Sequence, residues 1–315
     1  MVQSIPSLVF MGTPEFALPS LEAILAAGGP VSLVVTQPDR PKGRGRKVVA
    51  PPVKLLALDR GLQVYQPERI GAAEAVEQLE EVAPACIAVV AYGQLLPARI
   101  LQIPALGAVN VHASLLPKYR GPAPIHWALI QGEVETGVTT MLLDTGMDTG
   151  DILLQRQVVI EPEETTAGLQ DRLAAEGAKL LVETLEKLSR GTLKPRAQEE
   201  SQVTYAPMLS RDDGRIDWTE DARQICCRIR GLDPWPGAFT RWQEKRLKLF
   251  GCRVLPPVSQ ARPGTVVAAG EEGLQIATGE GSVLIGRLQL EGGRPLPVAE
   301  FLRGHPLGVE AVFGE

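Results

Sequence analysis

The segment Asn110-Val-His-Ala-Ser-Leu-Leu-Pro117 directly follows an apolar run at residues 103–109. If that run ends in a strand, residues two apart on it share one face of a sheet, so Asn110 and His112 point the same way. Open α/β sheets bind their ligands at the carboxyl ends of their strands, where such polar side chains would lie. We therefore predict a sheet strand here, with a functional site at its end.

The first 190 residues alternate apolar runs of strand length with helix-like stretches. This pattern predicts an α/β domain at residues 1–190 with a Rossmann-like, mostly parallel sheet. The first turn, Gly12-Thr-Pro-Glu-Phe16, lacks the glycine pattern of dinucleotide-binding folds, which argues against NAD or FAD. The predicted strands are residues 8–11, 31–36, 62–65, 85–91, 109–112, 139–143 and 155–160, and the predicted helices are residues 18–27, 53–60, 73–82, 125–131 and 166–190.

The pattern changes after residue 190. Residues 191–206 contain few apolar side chains, which predicts a linker. A second, smaller domain is predicted at residues 207–315, because a helical stretch is followed there by about five short strands separated by turns. That spacing predicts an OB-like β-barrel, and a β-sandwich is the alternative.

The composition limits the class of protein. The chain has 315 residues and a formal net charge of −5, which argues against a chain coated in nucleic acid but allows a local basic patch. No apolar run approaches the roughly 18 residues of a membrane span, and the first strand begins too early for a targeting peptide, so we expect a cytoplasmic protein. Nothing in the sequence requires more than a monomer.

The four cysteines are Cys86, Cys226, Cys227 and Cys252. They show no C-x-x-C pair and no spacing to a His partner, so we predict no disulfide framework and no metal site. Cys226 and Cys227 are expected to be buried packing residues.

Acidic residues follow the Asn110 segment in the stretch Asp144-Thr-Gly-Met-Asp-Thr-Gly-Asp151. Asn, His and Asp side chains together suit acyl or formyl transfer, in which an oxyanion is stabilised and an amine loses a proton. The structural alternative for His112 is a buried imidazole that is hydrogen-bonded to a backbone carbonyl and has no catalytic role. Acids beside glycine are also common turn residues.

A basic segment, Arg40-Pro-Lys-Gly-Arg-Gly-Arg-Lys47, places five cationic side chains within eight positions. Its composition predicts a mobile loop that neither packs into a core nor forms a regular element. Clustered Lys and Arg bind nucleic-acid phosphates by releasing counterions, and the alternative is a merely solvated surface loop. The segment follows the second predicted strand, so we expect it at the same sheet edge as Asn110 and His112.

The block from Asn110 to Asp151 resembles the folate-dependent formyltransferases, whose pattern is N-x-H-x-S-L-L-P followed later by L-D-x-G or M-D-x-G. The resemblance implies 10-formyltetrahydrofolate as formyl donor, no metal, and catalytic roles for Asn110, His112 and Asp148. Asn110 would polarise the formyl oxygen, while His112 with Asp148 would manage charge and protons. Asp144 and Asp151 compete with Asp148 for this role, the family pattern favours Asp148, and the alternative for the other two is turn chemistry beside glycine. The resemblance further implies folate binding by Ser114, Leu115, Leu116, Pro117, Val90, Tyr92 and Gly93.

Formyltransferases with this pattern differ in the amine that accepts the formyl group. The basic segment, the turn after the first strand, and later Tyr205-Ala-Pro207 and Ile216-Asp-Trp218 are similar to family members that formylate methionyl initiator tRNA. The resemblance covers most of the chain and implies a role in translation initiation, with the C-terminal domain touching the tRNA. The tRNA-binding residues that it implies are Arg40, Lys42, Arg44, Arg46 and Lys47.

Two other functions remain open at this point. A sugar or small-amine formyltransferase would keep the catalytic core and would not need the basic segment. A non-catalytic RNA-binding protein would carry a degenerate site, and the intact Asn110, His112 and Asp148 argue against it.

Overall fold

The structure, a computed structural model, describes residues 5–42, 47–257 and 261–314. The chain divides into two compact units. The first takes in Met1–Gly121, Gly137–Val158 and Gln170–Tyr205, and the second takes in Pro122–Thr136, Val159–Leu169 and Ala206–Glu315. The chain therefore passes from one unit to the other more than once.

The helices and strands up to residue 189 are, in chain order, β1 (Leu8–Gly12), α1 (Leu18–Ala26), β2 (Val31–Val35), β3 (Arg40–Lys42), β4 (Lys47–Val49), α2 (Pro52–Asp59), β5 (Val64–Tyr65), α3 (Ala73–Val82), β6 (Cys86–Val90), α4 (Ala98–Leu101), β7 (Ala108–His112), α5 (Pro124–Ile130), β8 (Glu135–Leu142), β9 (Ile152–Val159) and α6 (Thr166–Ser189). They are followed by α7 (Ala222–Gly231), β10 (Phe239–Trp242), β11 (Lys245–Leu255), β12 (Val266–Gly270), β13 (Gly273–Ala277), β14 (Ser282–Leu290), β15 (Leu296–Pro297) and α8 (Val298–Gly304).

The first unit is built on a seven-stranded sheet with the order β5-β2-β1-β6-β7-β8-β9. From β5 to β7 the strands run parallel, and β8 runs antiparallel to β7. Every residue of the central strands β1 and β6 is buried, as expected for strands that are covered on both faces. The predicted Rossmann-like, mostly parallel sheet is confirmed.

Apolar layers cover both faces of this sheet. Phe10 of β1 packs on one face in a cluster with Leu21 of α1 and Leu181 of α6. Its neighbour Met11 packs on the other face in a cluster with Leu79 of α3. Successive side chains of a strand point to opposite faces, so the unbroken apolar run of β1 supplies both layers. All five side chains are fully buried, and each burial stabilises the unit by about 1.5–3 kcal/mol.

Helix α6 is amphipathic along its 24 residues. Its buried side includes Leu181, and its outer side carries the ion pairs Lys179–Glu176 (2.6 Å) and Lys187–Glu183 (2.7 Å). In the part of the chain that the structure describes, no helix is both long enough and apolar enough to cross a membrane.

The second unit contains a six-stranded sheet with the order β10-β11-β14-β13-β12, in which β15 also pairs with β14. The pairs within it are antiparallel. Leu249, Ile276 and Ile285 of this sheet lie in one buried cluster with Ile225 of α7 and Phe301 of α8. The predicted smaller C-terminal domain of short strands is confirmed, and its sheet is antiparallel. The described strands of this unit form one sheet and not the two sheets of a sandwich.

The cysteine prediction was wrong for two of the four residues. Cys226 of α7 and Cys252 of β11 form a disulfide, with 5.2 Å between their Cα atoms. The packing of α7 against β11 brings these residues together, and their spacing in the sequence gives no sign of it. Cys86 and Cys227 are free and buried, as predicted, and burial raises the pKa of the Cys86 thiol to about 12.

The segment predicted as a linker is bound along part of its length to the first unit. Arg196 and Ile152 exchange two backbone hydrogen bonds, of 2.8 and 2.9 Å. Thr204 accepts a bond at its carbonyl oxygen from the amide of Arg120 (2.9 Å). The segment therefore belongs to the first unit as far as Tyr205. Domain limits at residues 190 and 207 stay a prediction.

Candidate active site

Asn110 and His112 share one face of β7, as predicted. Val109 and Val111 point to the opposite face, where they pack with Phe10, while Ala108 packs in the cluster of Met11. Residues 108, 110 and 112 alternate with these valines, so they lie on the Met11 face. Asn110 is half-buried, and it is the only asparagine in the chain.

The two ring nitrogens of His112 have different neighbours. Nε2 lies 2.9 Å from the carbonyl oxygen of Tyr119, and Nδ1 lies 3.7 Å from Oδ2 of Asp148. A carbonyl oxygen only accepts, so Nε2 carries a proton and donates to Tyr119. The structural alternative for His112, an imidazole whose hydrogen-bonding needs a backbone carbonyl meets, therefore holds for Nε2 only. Nδ1 is left facing the carboxylate, and the imidazole is 6% exposed.

Asp148 comes to His112 on the loop between β8 and β9. This loop begins at the start of β7, because the Leu143 amide donates to the carbonyl oxygen of Ala108 (2.8 Å). The loop must therefore follow the length of β7 to bring Asp148 to His112. Asp148 has a left-handed backbone (φ +55°), and its Oδ2 accepts a 2.8 Å hydrogen bond from the Gly121 amide.

The neighbouring acids have other surroundings. Oδ1 of Asp144 accepts hydrogen bonds from the Gly146 amide (2.9 Å) and the Thr149 hydroxyl (2.6 Å), which is turn chemistry. Asp151 is exposed and directly precedes β9. Of the three acids in this segment, Asp148 is the one whose carboxylate faces His112.

The Ser114–Pro117 segment is fixed by β8 and β9. The Ser114 hydroxyl donates to the carbonyl oxygen of Lys118 (2.6 Å) and is fully buried. Thr139 of β8 donates to the Ser114 carbonyl (2.7 Å) and accepts from the Leu116 amide (3.1 Å). The Leu116 side chain is buried in an apolar cluster. Folate binding by Ser114, Leu115, Leu116 and Pro117 stays a prediction, and the Ser114 hydroxyl is already engaged within its own loop.

The end of β6 offers backbone groups more than side chains. Val90 is fully buried, and the ring of Tyr92 lies in the core, where burial raises the pKa of its hydroxyl. Gly93 is in the left-handed region (φ +92°), and a Cβ there would lie 3.7 Å from Nε2 of Gln37. Nε2 of Gln37 is buried and has no hydrogen-bond partner among the described residues. A ligand acceptor at this strand end would satisfy it.

The basic segment contains regular structure, so the prediction of a loop without any was wrong. Arg40 pairs with Val49 and Lys42 with Lys47 in the antiparallel β3–β4 hairpin. A two-stranded ribbon satisfies its backbone by pairing and needs no apolar core. Arg40 and Lys47 are exposed, as their predicted role requires. Arg44 and Arg46, also predicted to bind tRNA, lie outside the described residues.

A polar network at the base of this hairpin was not foreseen. Nζ of Lys54 lies 2.8 Å and 2.9 Å from the two carboxylate oxygens of Asp39 and donates to Oε1 of Gln66 (2.7 Å). The Gln66 amide donates in turn to Asp39 (2.9 Å). Hydrogen bonds from Lys54 first, and then from Gln66, hold the pKa of Asp39 below its ordinary value. The sequence did contain a signal for this network, because Asp39 is the one acid beside the basic segment.

Three further polar residues of the site escaped prediction: Arg120, Gln198 and Thr204. Gln198 and Thr204 come from the segment predicted as a linker, and the Thr204 hydroxyl accepts from the Tyr119 amide (2.9 Å). Within residues 5–42, 47–257 and 261–314, no group of three or more His, Cys, Asp or Glu side chains is placed to hold a metal ion.

Two family models match the chain, one after the other along the sequence. A family model described as Formyl transferase matches residues 7–185, and one described as Formyl transferase, C-terminal domain, matches residues 208–306. The chain belongs to the formyl transferase family, which confirms the resemblance found in the sequence.

The similar proteins with full-length matches share one name within this family. The chain is 47% identical over 308 residues to a methionyl-tRNA formyltransferase of Citrifermentans bemidjiense, covering 98% of this chain and 96% of that protein. It is 51% identical over 308 residues to one of Pelobacter propionicus, with the same coverage. A third, of Desulfotalea psychrophila, is 50% identical over 305 residues, covering 97% and 94%.

Solved structures similar in fold are more distant in sequence. HypX of Aquifex aeolicus in complex with tetrahydrofolic acid aligns with a TM-score of 0.63 at 20% identity, over 99% of this chain and 51% of that one. An N-formyltransferase of Helicobacter canadensis, in complex with folinic acid and dTDP-3-aminofucose, aligns with a TM-score of 0.68 at 19% identity, over 90% and 98%. At these identities the likeness shows the fold alone.

Replacing Lys54 by Met is expected to raise the titration midpoint of the Asp39 carboxyl. The midpoint in the unchanged chain should lie below the value of about 3.9 of a free Asp. A carboxyl with a depressed pKa stabilises the fold above the unfolded pKa, and this contribution disappears as the pH falls through the folded pKa. The base of the hairpin should therefore loosen below about pH 4. Carbon-13 NMR of labelled Asp measures the midpoint in both proteins.

The matched control is Lys47→Met, which removes a cation of the same hairpin and leaves the Asp39 ion pair intact. Its Asp39 midpoint should equal that of the unchanged chain. A midpoint at or above that of free Asp in the unchanged chain would contradict the role given to Lys54.

Proposed function

We propose that this chain transfers the formyl group of 10-formyltetrahydrofolate to the α-amino group of methionyl initiator tRNA, giving N-formylmethionyl-tRNA for translation initiation. The observation that carries the chemistry is the approach of Asp148 to His112 beside Asn110 on β7. The acceptor rests on the near-half identity, over almost the whole chain, with proteins named methionyl-tRNA formyltransferase.

The Asn110 carboxamide stabilises the charge that develops in the reaction. The acceptor nitrogen attacks the formyl carbon, and negative charge builds on the formyl oxygen. A side-chain amide aimed at that oxygen lowers the barrier, because the donor is fixed before the charge appears. The bond from the formyl carbon to N10 of the folate then breaks as the carbonyl re-forms.

His112 accepts the proton that the amine must lose, and Asp148 assists it. Nδ1 is the nitrogen that takes this proton, since Nε2 donates to Tyr119. The resulting imidazolium is stabilised by the Asp148 carboxylate. N10 of the leaving tetrahydrofolate gains one proton, so the step balances. Asp148 therefore acts through His112 and has no need to contact the substrate.

The folate binds along the strand ends beside Asn110. Backbone groups of residues 90–93 and of the Ser114–Pro117 segment line its pterin, because the Ser114 hydroxyl and the Tyr92 ring are engaged elsewhere. The unpartnered amide of Gln37 fits a polar edge of such a ligand. The catalytic residues need no metal for this chemistry.

The basic segment contacts the phosphates of the tRNA through Arg40, Lys42, Arg44, Arg46 and Lys47. Residues 1–190 form the catalytic domain and residues 207–315 a C-terminal domain that touches the tRNA, with 191–206 between them. The protein acts as a monomer in the cytoplasm, where its aminoacylated substrate is made.

Asn110→Ala is expected to lower kcat for formyl transfer to methionyl initiator tRNA by about a hundred- to a thousandfold, because an oxyanion donor is lost. The affinity for the tRNA should change little, since Asn110 contacts the formyl group only. Single-turnover kinetics and a tRNA binding assay measure the two quantities. Gln102→Ala, which removes an exposed amide away from the site, is the control and should behave as the unchanged chain. Equal losses of turnover and tRNA affinity would instead support an RNA-binding protein.

Neutralising Arg40, Lys42, Arg44 and Lys47 together to Gln is expected to weaken tRNA binding at least about tenfold. It should also flatten the dependence of log affinity on log salt by about three units, because up to four phosphate contacts are lost. The control replaces Lys179 and Lys187 of α6 and Arg190, which directly follows it; all three lie in surface ion pairs. An unchanged salt dependence in the hairpin variant would show that the basic segment does not bind tRNA.

A further inference from the structure

The Gln198 side chain connects the Asp148 loop to the rest of the first unit. Its Nε2 donates to the carbonyl oxygens of Asp148 and Gly150, both at 2.8 Å. Its Oε1 accepts from Nε and Nη2 of Arg120, at 3.1 and 3.0 Å. One amide group thus binds the two carbonyls on one side and a guanidinium on the other.

Other contacts fix the Arg120 side chain, whose guanidinium binds Gln198. It is 2% exposed, and a buried cation is stable only when it is paired and hydrogen-bonded. Beyond Gln198, its guanidinium donates to Glu200, with Nη2 2.8 Å from Oε1. Its own amide donates to the carbonyl of Thr204, and the neighbouring Gly121 amide donates to the Asp148 carboxylate. Arg120 therefore links its own stretch, Tyr119–Gly121, through Gln198 to the Asp148 loop.

The Asp148 loop needs such support because its local geometry is unfavourable. A residue other than glycine in the left-handed region is strained, and only surrounding contacts keep it there. The 3.7 Å between Asp148 and Nδ1 of His112 is longer than a hydrogen bond, so that pair alone does not fix the loop. The bonds from Gln198 act on the carbonyls of Asp148 itself and of Gly150, two residues on.

We propose that Gln198, supported by Arg120, is a positioning residue that holds the Asp148 carboxylate against His112 for formyl transfer. The proposal rests on the proposed function and adds to it a residue from the segment that the sequence predicted as a linker. A glutamine suits this place because carbonyls only accept and a guanidinium only donates, so the bridging group must do both. Glutamate matches its shape but cannot donate to the two carbonyls.

Gln198→Ala and Gln198→Glu are both expected to lower kcat by about 10- to 100-fold, because a small misplacement of a catalytic group has effects of this size. The KM values for tRNA and for the folate should stay within about threefold, since the Gln198 amide is engaged by Asp148, Gly150 and Arg120. In an Asp148→Ala background, Gln198→Ala should add less than about threefold, because residues that act as a unit are not additive. Gln202→Ala, in the same segment, is the matched control and should leave kcat within twofold; its amide donates to Glu199 and not to the site.

Three kinetic results would overturn the proposal: a kcat of Gln198→Glu near that of the unchanged chain, a loss confined to KM, or an equal loss with and without Asp148. Crystal structures of the unchanged chain and of Gln198→Glu test it apart from turnover. The Asp148 carboxylate should leave His112 in the variant, and an unmoved carboxylate would refute the positioning role. If the unchanged chain formylates no acceptor, the proposed function fails, and the crystal structures still decide whether Gln198 positions Asp148.

Discussion

The placement of Asp148 beside His112 is the constraint on which the site depends. His112 is the last residue of β7. The loop that carries Asp148 begins at the opposite end of that strand, where the Leu143 amide donates to the carbonyl oxygen of Ala108. The loop must cross the face of the sheet and present a carboxylate from a left-handed residue. A parallel sheet alone does not provide this. The antiparallel strand β8 does, because it returns the chain to the start of β7.

Much of the remaining polar structure in the first unit supports that crossing. Thr139 and the Ser114 loop fix the chain after β7, and the Gly121 amide binds the carboxylate itself. The segment after α6 then returns to the same place and contributes Gln198 to it. The site therefore brings together residues from distant parts of the sequence, and the segment that joins the two predicted domains contributes Gln198 to it.

The sequence predicted the elements whose signal is local. Central strands such as β1 and β6 read as unbroken apolar runs because both their faces are buried, and Asn110 and His112 followed from the two-residue repeat of a strand. The presence of a single asparagine in the chain was a further signal that could have strengthened the prediction for Asn110. The sequence could not show that the Ser114 hydroxyl is engaged within its own loop or that the Tyr92 ring lies in the core, because the motif carries no sign of these contacts.

Long-range pairs left no such signal. The disulfide between Cys226 and Cys252 depends on helix α7 packing on β11, and the hydrogen bond from Gln198 to Asp148 joins residues 50 positions apart. The β3–β4 hairpin was missed for a different reason, since its composition is that of a loop and its order comes from backbone pairing. In each case the missing information was a contact that only the folded chain creates.

The most direct test is formyl transfer by the unchanged chain from 10-formyltetrahydrofolate, with methionyl initiator tRNA, free methionine and a nucleotide-linked amino sugar as parallel acceptors. Transfer confined to the charged tRNA is the predicted result, and it would join the Asn110 site and the basic hairpin in one activity. Transfer to the amino sugar and not to the tRNA would contradict the proposed acceptor while keeping the chemistry of the site. An absence of transfer to all three would contradict the catalytic role of Asn110, His112 and Asp148.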